Sequence, residues 1–206
     1  MSTRIPSRPN TAVLSSAAVA RASARRRLAL SALVGGLLCG AAWLAAPRAQ
    51  AAEPAALAAV VARATVPLAE AIDGVEKNAP GRVTQAELED DRTDAQGAPL
   101  YEMELATPQA QREDLLASAA TGQIVGRKAD GPLKAKDAER LKAATLPLSQ
   151  SVRTALGRQP GHAVQAELDS HFGTVVHEVD ILTAQGTLVQ VKVHAGNGQI
   201  VSVRGK

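Results

Sequence analysis

The residue types best suited to chemistry in this 206-residue chain are its carboxylates, which recur along segments of strand-like alternation. Alternate residues of a strand point to the same face of a sheet, so the pattern predicts one acidic face for each segment pair. Such a face could bind a basic partner or a divalent cation, or it could simply keep an exposed sheet soluble. The candidate partner-binding residues are Glu87, Glu102, Glu104, Glu167, Glu178 and Asp180.

The four histidines form a second group, because all of them follow residue 160. His177 falls among apolar alternating positions and His194 among polar ones, so the two should lie on opposite faces of a sheet. No HxH or HxxxH pair occurs among His162, His171, His177 and His194. The histidines therefore indicate no metal site, and we predict no cofactor.

Signatures of catalysis and of nucleic-acid binding are missing from the sequence. No serine lies in a nucleophile-elbow pattern, and no glycine-rich loop is of the phosphate-binding type. Residues 1–51 hold seven of the 23 basic residues and none of the 20 acidic ones, so residues 52–206 carry a net charge near −4. These features predict a protein that is not an enzyme and has no nucleic-acid partner.

The first 51 residues have the order of a bacterial secretory signal. Arginines precede an apolar run over 28–46, and Ala49-Gln50-Ala51 follows as a small-x-small cleavage site. Cleavage would give a periplasmic or secreted protein without cysteine or disulfides, because Cys39 leaves with the signal. The run is also nearly long enough to span a bilayer, so an uncleaved inner-membrane anchor is the alternative, and membrane contact is expected only then.

An internal repeat organises the rest of the chain. Gln85-Ala86-Glu87-Leu88 recurs unchanged at 165–168, an offset of 80, and Pro80-Gly81 recurs at the same offset. Tyr101-Glu102-Met103-Glu104-Leu105 matches 177–181, an offset of 76. The first copy therefore has four extra residues between Leu88 and Tyr101, where a turn can absorb them.

Each copy predicts one helix followed by three or four antiparallel strands. Leu68, Ile72 and Val75 share a helix face, and Thr65 and Thr145 are candidate N-caps. The fold class is α+β, with the helix on one sheet face and polar residues on the other. The predicted order is a helical lead-in over 52–64, one repeat over 65–128, a linker over 129–144 and the second repeat over 145–206. Within this order, 128–132 is expected to be turn-like and 135–144 helical.

The short helix, the Pro-Gly pair, the acidic alternating strand, Tyr101-Glu102-Met103-Glu104-Leu105 and Ala120-Thr121-Gly122-Gln123-Ile124-Val125 together resemble the PepSY domain. The second copy ends in a similar way, although His177 replaces Tyr101. PepSY domains occur in propeptides of thermolysin-like metalloproteases and in small exported bacterial proteins. The resemblance implies an α+β fold, no catalytic residues and a role in restraining proteases or binding other exported proteins.

The expected function is a non-catalytic binding module of the cell envelope that modulates or inhibits a peptidase. Its expected partner is another envelope protein, for which a peptidase is the leading class. The alternative is a cation-binding or sensor protein that uses the acidic face and is tethered to the membrane if the signal is uncleaved.

Overall fold

The computed structural model describes residues 52–206, which form four helices and eight strands. The predicted signal, anchor and cleavage site lie outside the described residues. The first repeat and its lead-in contain α1 (Ala52–Val61), α2 (Leu68–Asn78), β1 (Arg82–Thr93), β2 (Pro99–Ala106), β3 (Gln111–Ser118) and β4 (Ile124–Pro132).

The second half repeats this order. It contains α3 (Ala135–Ala143), α4 (Leu148–Arg158), β5 (His162–His171), β6 (Thr174–Leu182), β7 (Leu188–His194) and β8 (Ile200–Gly205). The α+β class and the repeated unit of helix and antiparallel strands are thus confirmed.

The two sets of strands form one continuous antiparallel sheet in the order β4-β3-β2-β1-β5-β6-β7-β8. The sequence predicted a sheet for each repeat but not their fusion. The joint is a short ladder between β1 and β5 with Ala86 opposite Ala166. These alanines occupy the same position of the two repeats, so the halves are related by an approximate twofold axis that passes between them.

Helices α2 and α4 lie side by side on one face of the sheet. They bury the predicted apolar stripe, since Leu68, Ile72 and Val75 of α2 are at most 2% exposed. Ala86 and Ala166 lie beneath them and are fully buried, as are Met103 of β2 and Val179 of β6. One hydrophobic core therefore spans both repeats, and neither small repeat has to be stable alone.

Thr65 and Thr145 do not cap the helices as predicted. Each helix begins after the following proline, and no side-chain hydrogen bond caps it. The threonine hydroxyls instead donate to carbonyls in the turns before β4 and β8, Ala120 at 3.0 Å and Gly196 at 2.7 Å. The same contact in both repeats fastens the start of each helix to the last hairpin of its own unit.

The four extra residues lie where the sequence placed them. Leu88 pairs with Tyr101 and Leu168 with His177, so the two ladders agree up to these pairs and differ in the hairpin beyond. The segment 128–132 is not turn-like, because β4 continues through it and pairs with β3 as far as Gln111 opposite Pro132. Gly131 keeps a left-handed backbone conformation (φ 88°) at a β-bulge of this ladder, so the strand accommodates the local preference of Gly131-Pro132 for a turn.

Across residues 52–206, no helix is both long and apolar enough to cross a membrane.

Candidate functional site

The six predicted acidic residues lie on one face of the sheet, opposite α2 and α4. We call this surface the acidic face. Strand β1 pairs Glu87 with Glu102, and β5 pairs Glu167 with Glu178. Because β1 also pairs with β5, the sets that the sequence assigned to separate repeats become one surface across β2, β1, β5 and β6.

The register arranges this surface as two cross-strand rows. One row runs Glu104, Gln85, Glu167, Glu178, and the other runs Glu102, Glu87, Gln165, Asp180. The twofold relation between the repeats exchanges the rows. At the β1–β5 joint each row thus pairs a glutamine with a glutamate. The two central carboxylates, Glu87 and Glu167, are therefore not directly opposite each other.

Cations of the same chain neutralise the outer carboxylates of the second repeat. Lys192 forms an ion pair with Glu178, and both side chains are only about a tenth exposed, at 10% and 11%. Lys206, at the end of the chain, pairs with Asp180, whose side chain is 6% exposed. These two carboxylates are therefore largely enclosed within their own sheet face.

The outer carboxylates of the first repeat are more accessible. Glu102 accepts a hydrogen bond from Arg92 at 2.9 Å, and its side chain is 35% exposed. Glu104 lies 3.9 Å from Arg112 with 25% of its side chain exposed, and Arg112 also pairs with Asp130 of β4. The acidic face is therefore more exposed to solvent in this half.

The two central glutamates differ from the outer four. Within residues 52–206, no basic side chain lies within ion-pairing distance of Glu87 or Glu167. Burial, reinforced by the charge of Glu102, raises the pKa of Glu87. Burial, reinforced by the charge of Glu178, likewise raises the pKa of Glu167. A partly buried carboxylate near other carboxylates is poorly stabilised as an anion.

Glu89 belongs to this surface and was missed in the sequence. Burial and the neighbouring Glu102, with which it shares a hydrogen bond, raise the pKa of Glu89 to about 8. The signal was available, since Glu89 continues the alternation of Glu87 and has an acidic counterpart, Asp169, in the second repeat.

Asp169 lies in a group of three carboxylates with Glu167 and Glu178, whose oxygens are within 4.8 Å of one another. Two members of this trio already have cations: Asp169 pairs with Arg140 of α3, and Glu178 with Lys192. The local positive charge offsets much of the attraction that the trio would exert on a divalent ion.

The histidines lie as the alternation predicted. His177 is buried on the helix-bearing side, where its Nδ1 is 2.6 Å from the Ser151 hydroxyl of α4. His194 is opposite Val176 on the other side, and its Nδ1 accepts a hydrogen bond from the Gly196 backbone. Burial, with a contribution from Arg82, lowers the pKa of His177 to about 4.

Comparison with known proteins identifies the family of both repeats. Residues 65–128 and 145–204, together more than half of the chain, match the PepSY model, described as a peptidase propeptide and YPEB domain. No protein with a curated description matches the sequence.

Two solved structures resemble the fold distantly. A crystal structure of a candidate lipoprotein from Clostridium difficile 630 is 19% identical, with a TM-score of 0.41 over 68% of this chain and 93% of that one. The YpmB protein from Bacillus subtilis is 12% identical, with a TM-score of 0.31 over 66% of this chain and 96% of that one.

Proposed function

This chain belongs to the PepSY family, and from that premise we propose that it is a non-catalytic binding module that captures a basic partner on the acidic face. The observation that carries the proposal is the fusion of two short carboxylate sets into one surface by the β1–β5 joint. Lysine or threonine would also solvate a strand, so solubility alone does not require acidic residues at matching positions of both repeats.

The charges of the acidic face favour a partner with basic side chains. Glu87 and Glu167 occupy its centre, and their raised pKa values reflect an anionic form that burial and like charges destabilise. A lysine or arginine brought to the centre would relieve that repulsion without displacing the ion pairs at the rim. Charge complementarity of this kind accelerates association and gives specificity.

We propose that the partner is an exported peptidase and that this chain restrains it. The family description, peptidase propeptide, supports this class of partner. The signal-like order of residues 1–51 supports a location in the periplasm or outside the cell. Intact-mass measurement of the exported protein tests this location, because a mature N-terminus at Ala52 is expected and a mass that retains residues 1–51 would indicate an anchor.

Site-specific crosslinking tests the binding surface. A photoreactive amino acid replaces Gln85, which lies next to both central glutamates, or Thr154, which lies partly exposed on α4. Illumination of intact cells should give a crosslinked partner from position 85 and not from position 154. The same capture in extract should fall as salt rises, because the Debye length decreases from about 10 Å at 0.1 M to about 3 Å at 1 M.

Matched charge variants complete the test. The pair Glu87→Gln and Glu102→Gln removes two charges from the acidic face, and the pair Glu70→Gln and Glu139→Gln removes two from the exposed helix surfaces. The first pair should weaken capture and any inhibition of the captured peptidase, whereas the second should change neither. Equal capture by both double variants at low and high salt would show that the acidic face is only solvated.

A further inference from the structure

An arginine of the first repeat is inserted into the second. Arg82, the first residue of β1, is partly buried and donates hydrogen bonds to three backbone carbonyls in the last turn of α3 and the α3–α4 connection. The acceptors are Leu141 at 3.2 Å, Ala144 at 2.6 Å and Leu146 at 2.9 Å. The guanidinium group thus ties the start of the second repeat to the first.

The twofold relation generates a matching position in the first repeat, and there the arginine is absent. The counterpart of Arg82 at the offset of 80 is His162, a shorter side chain that lies exposed at the start of β5. A cavity of about 340 Å³ remains beside it. Its lining includes Val61, Ala64 and Val66, the counterparts of the three residues whose carbonyls hold Arg82.

The rest of the cavity lining consists of apolar side chains, and a backbone carbonyl lies beside them. Leu68, Leu88 and Leu156 supply apolar walls. The Tyr101 hydroxyl donates to the Val66 carbonyl at 2.8 Å, which leaves that oxygen a second acceptor site. An arginine side chain matches this combination, since its methylene stem packs on apolar surface while its planar head donates several hydrogen bonds.

One substitution makes the empty cavity a weaker site than the filled one. Glu76 of α2 lies near Arg82, where its charge acts on the same group. Its counterpart in α4 is Leu156, which lines the cavity. Two of the three carbonyls already accept one hydrogen bond, Val61 from the Ala64 backbone and Val66 from Tyr101. A guest arginine would therefore share these carbonyls and have the apolar walls but no carboxylate, which suits reversible binding.

We propose that this cavity is a binding site for an arginine side chain of a polypeptide partner, with Arg82 as its internal template. The site is on the helix-bearing side of the sheet, opposite the acidic face, so it stands or falls separately from the function proposed above. The net charge near −4 of residues 52–206 favours approach of an arginine-bearing partner.

Titration with defined peptides tests the proposal. The exported protein, labelled with ¹⁵N, is titrated with N-acetyl-Gly-Arg-Gly-amide and with the matching lysine and leucine peptides. The arginine peptide should shift the amide resonances of Ala64, Val66 and Leu156 at lower concentration than the others. Equal or stronger binding of the leucine peptide would show an apolar pocket instead, and no shift at these residues would show no site; either result overturns the proposal.

Three variants separate occupancy of the cavity from general charge. His162→Arg places an arginine where the template has one, so it should fill the cavity and abolish the shifts. His171→Arg makes the same charge change on the β5–β6 hairpin and should leave them unchanged. Leu156→Glu restores the counterpart of Glu76 and should tighten binding about two- to fivefold, as expected for a partly exposed ion pair. Loss of binding in His171→Arg, or no gain in a folded Leu156→Glu variant, would contradict the template.

Discussion

Asp73 of α2 and Arg153 of α4 occupy the same position of the two repeats and form an ion pair with each other. A contact between counterpart positions places both residues beside the approximate twofold axis, above the pair Ala86 and Ala166. Burial acts to raise the pKa of Asp73, but hydrogen bonds from Ser149 and Arg153 outweigh it and the net shift is downward. Two identical repeats would place like charges here, so the opposite signs adapt the helices to each other.

Reversal of one partner should therefore destabilise the protein, and exchange of both should restore it. Arg153→Asp places two carboxylates together, and the expected loss is about 0.2–1 kcal/mol of unfolding free energy, because both side chains are half exposed. The double variant Asp73→Arg with Arg153→Asp should recover most of it. Urea unfolding of the two single variants and the double variant measures the coupling. If the double variant changes the unfolding free energy by the sum of the two single changes, the ion pair contributes nothing.

The glycine of each Pro-Gly pair should resist substitution for a steric reason. A Cβ at Gly161 would lie 2.4 Å from the Leu182 carbonyl oxygen and 2.6 Å from a methyl carbon of Ile181. Gly161→Ala should lower the unfolding free energy by about 1–3 kcal/mol, the usual cost of overpacking.

Gly157 of α4 provides the matched control, since a Cβ there meets nothing within 4 Å. Gly157→Ala should instead raise stability by about 0.5–1 kcal/mol, because alanine favours a helix interior. Thermal unfolding of the two variants should thus move in opposite directions, and similar shifts would disprove the steric explanation for Gly161.

The sequence predicted the repeated unit because its signals are local and occur twice. Apolar spacing in α2, alternation in β2 and β6, and the offset change beyond Leu88 are all readable without knowledge of the fold. The β1–β5 joint was not predicted, because the two strands pair through backbone groups that are the same for every residue type. The unchanged segments 85–88 and 165–168 nevertheless include the residues that pair across that joint.

The cavity and its template lay beyond sequence reasoning for a related cause. Arg82 and the carbonyls that it binds are separated by about sixty residues and meet only through the twofold arrangement. The substitutions of His162 for Arg82 and of Leu156 for Glu76 are visible in the repeat alignment, but their proximity in space is not.

The raised pKa of Glu89 should make stability depend on pH. The pKa of Glu89 rises from its ordinary value of 4.5 to about 8, so between these values the folded state binds more protons than the unfolded state. The contribution of Glu89 to the unfolding free energy is fully present below pH 4.5 and is lost as pH rises through 8.

Glu89→Gln cannot ionise and should flatten the fall in stability between pH 4.5 and about pH 8. Melting temperatures across that range measure the slope, and Glu70→Gln on the exposed side of α2 serves as control. A residual slope is expected from Glu87 and Glu167, whose pKa values are shifted in the same direction. A slope in Glu89→Gln as steep as that of the control would contradict the role of Glu89.

His177 should act in the opposite direction, at lower pH. Its pKa falls from 6.5 to about 4 because burial disfavours the imidazolium, so the unfolded state binds more protons between these values. The contribution of the neutral imidazole to the unfolding free energy is fully present above pH 6.5 and is lost as pH falls towards 4, by up to about 2–3 kcal/mol.

NMR titration of the His177 ring should show it neutral at pH 6. The variant His177→Gln, which retains a hydrogen-bonding group near Ser151 but cannot titrate, should remove this acid sensitivity, whereas His162→Gln at the exposed start of β5 should retain it. A His177 ring that titrates near 6.5, or acid sensitivity unchanged in His177→Gln, would show that burial does not hold this imidazole neutral.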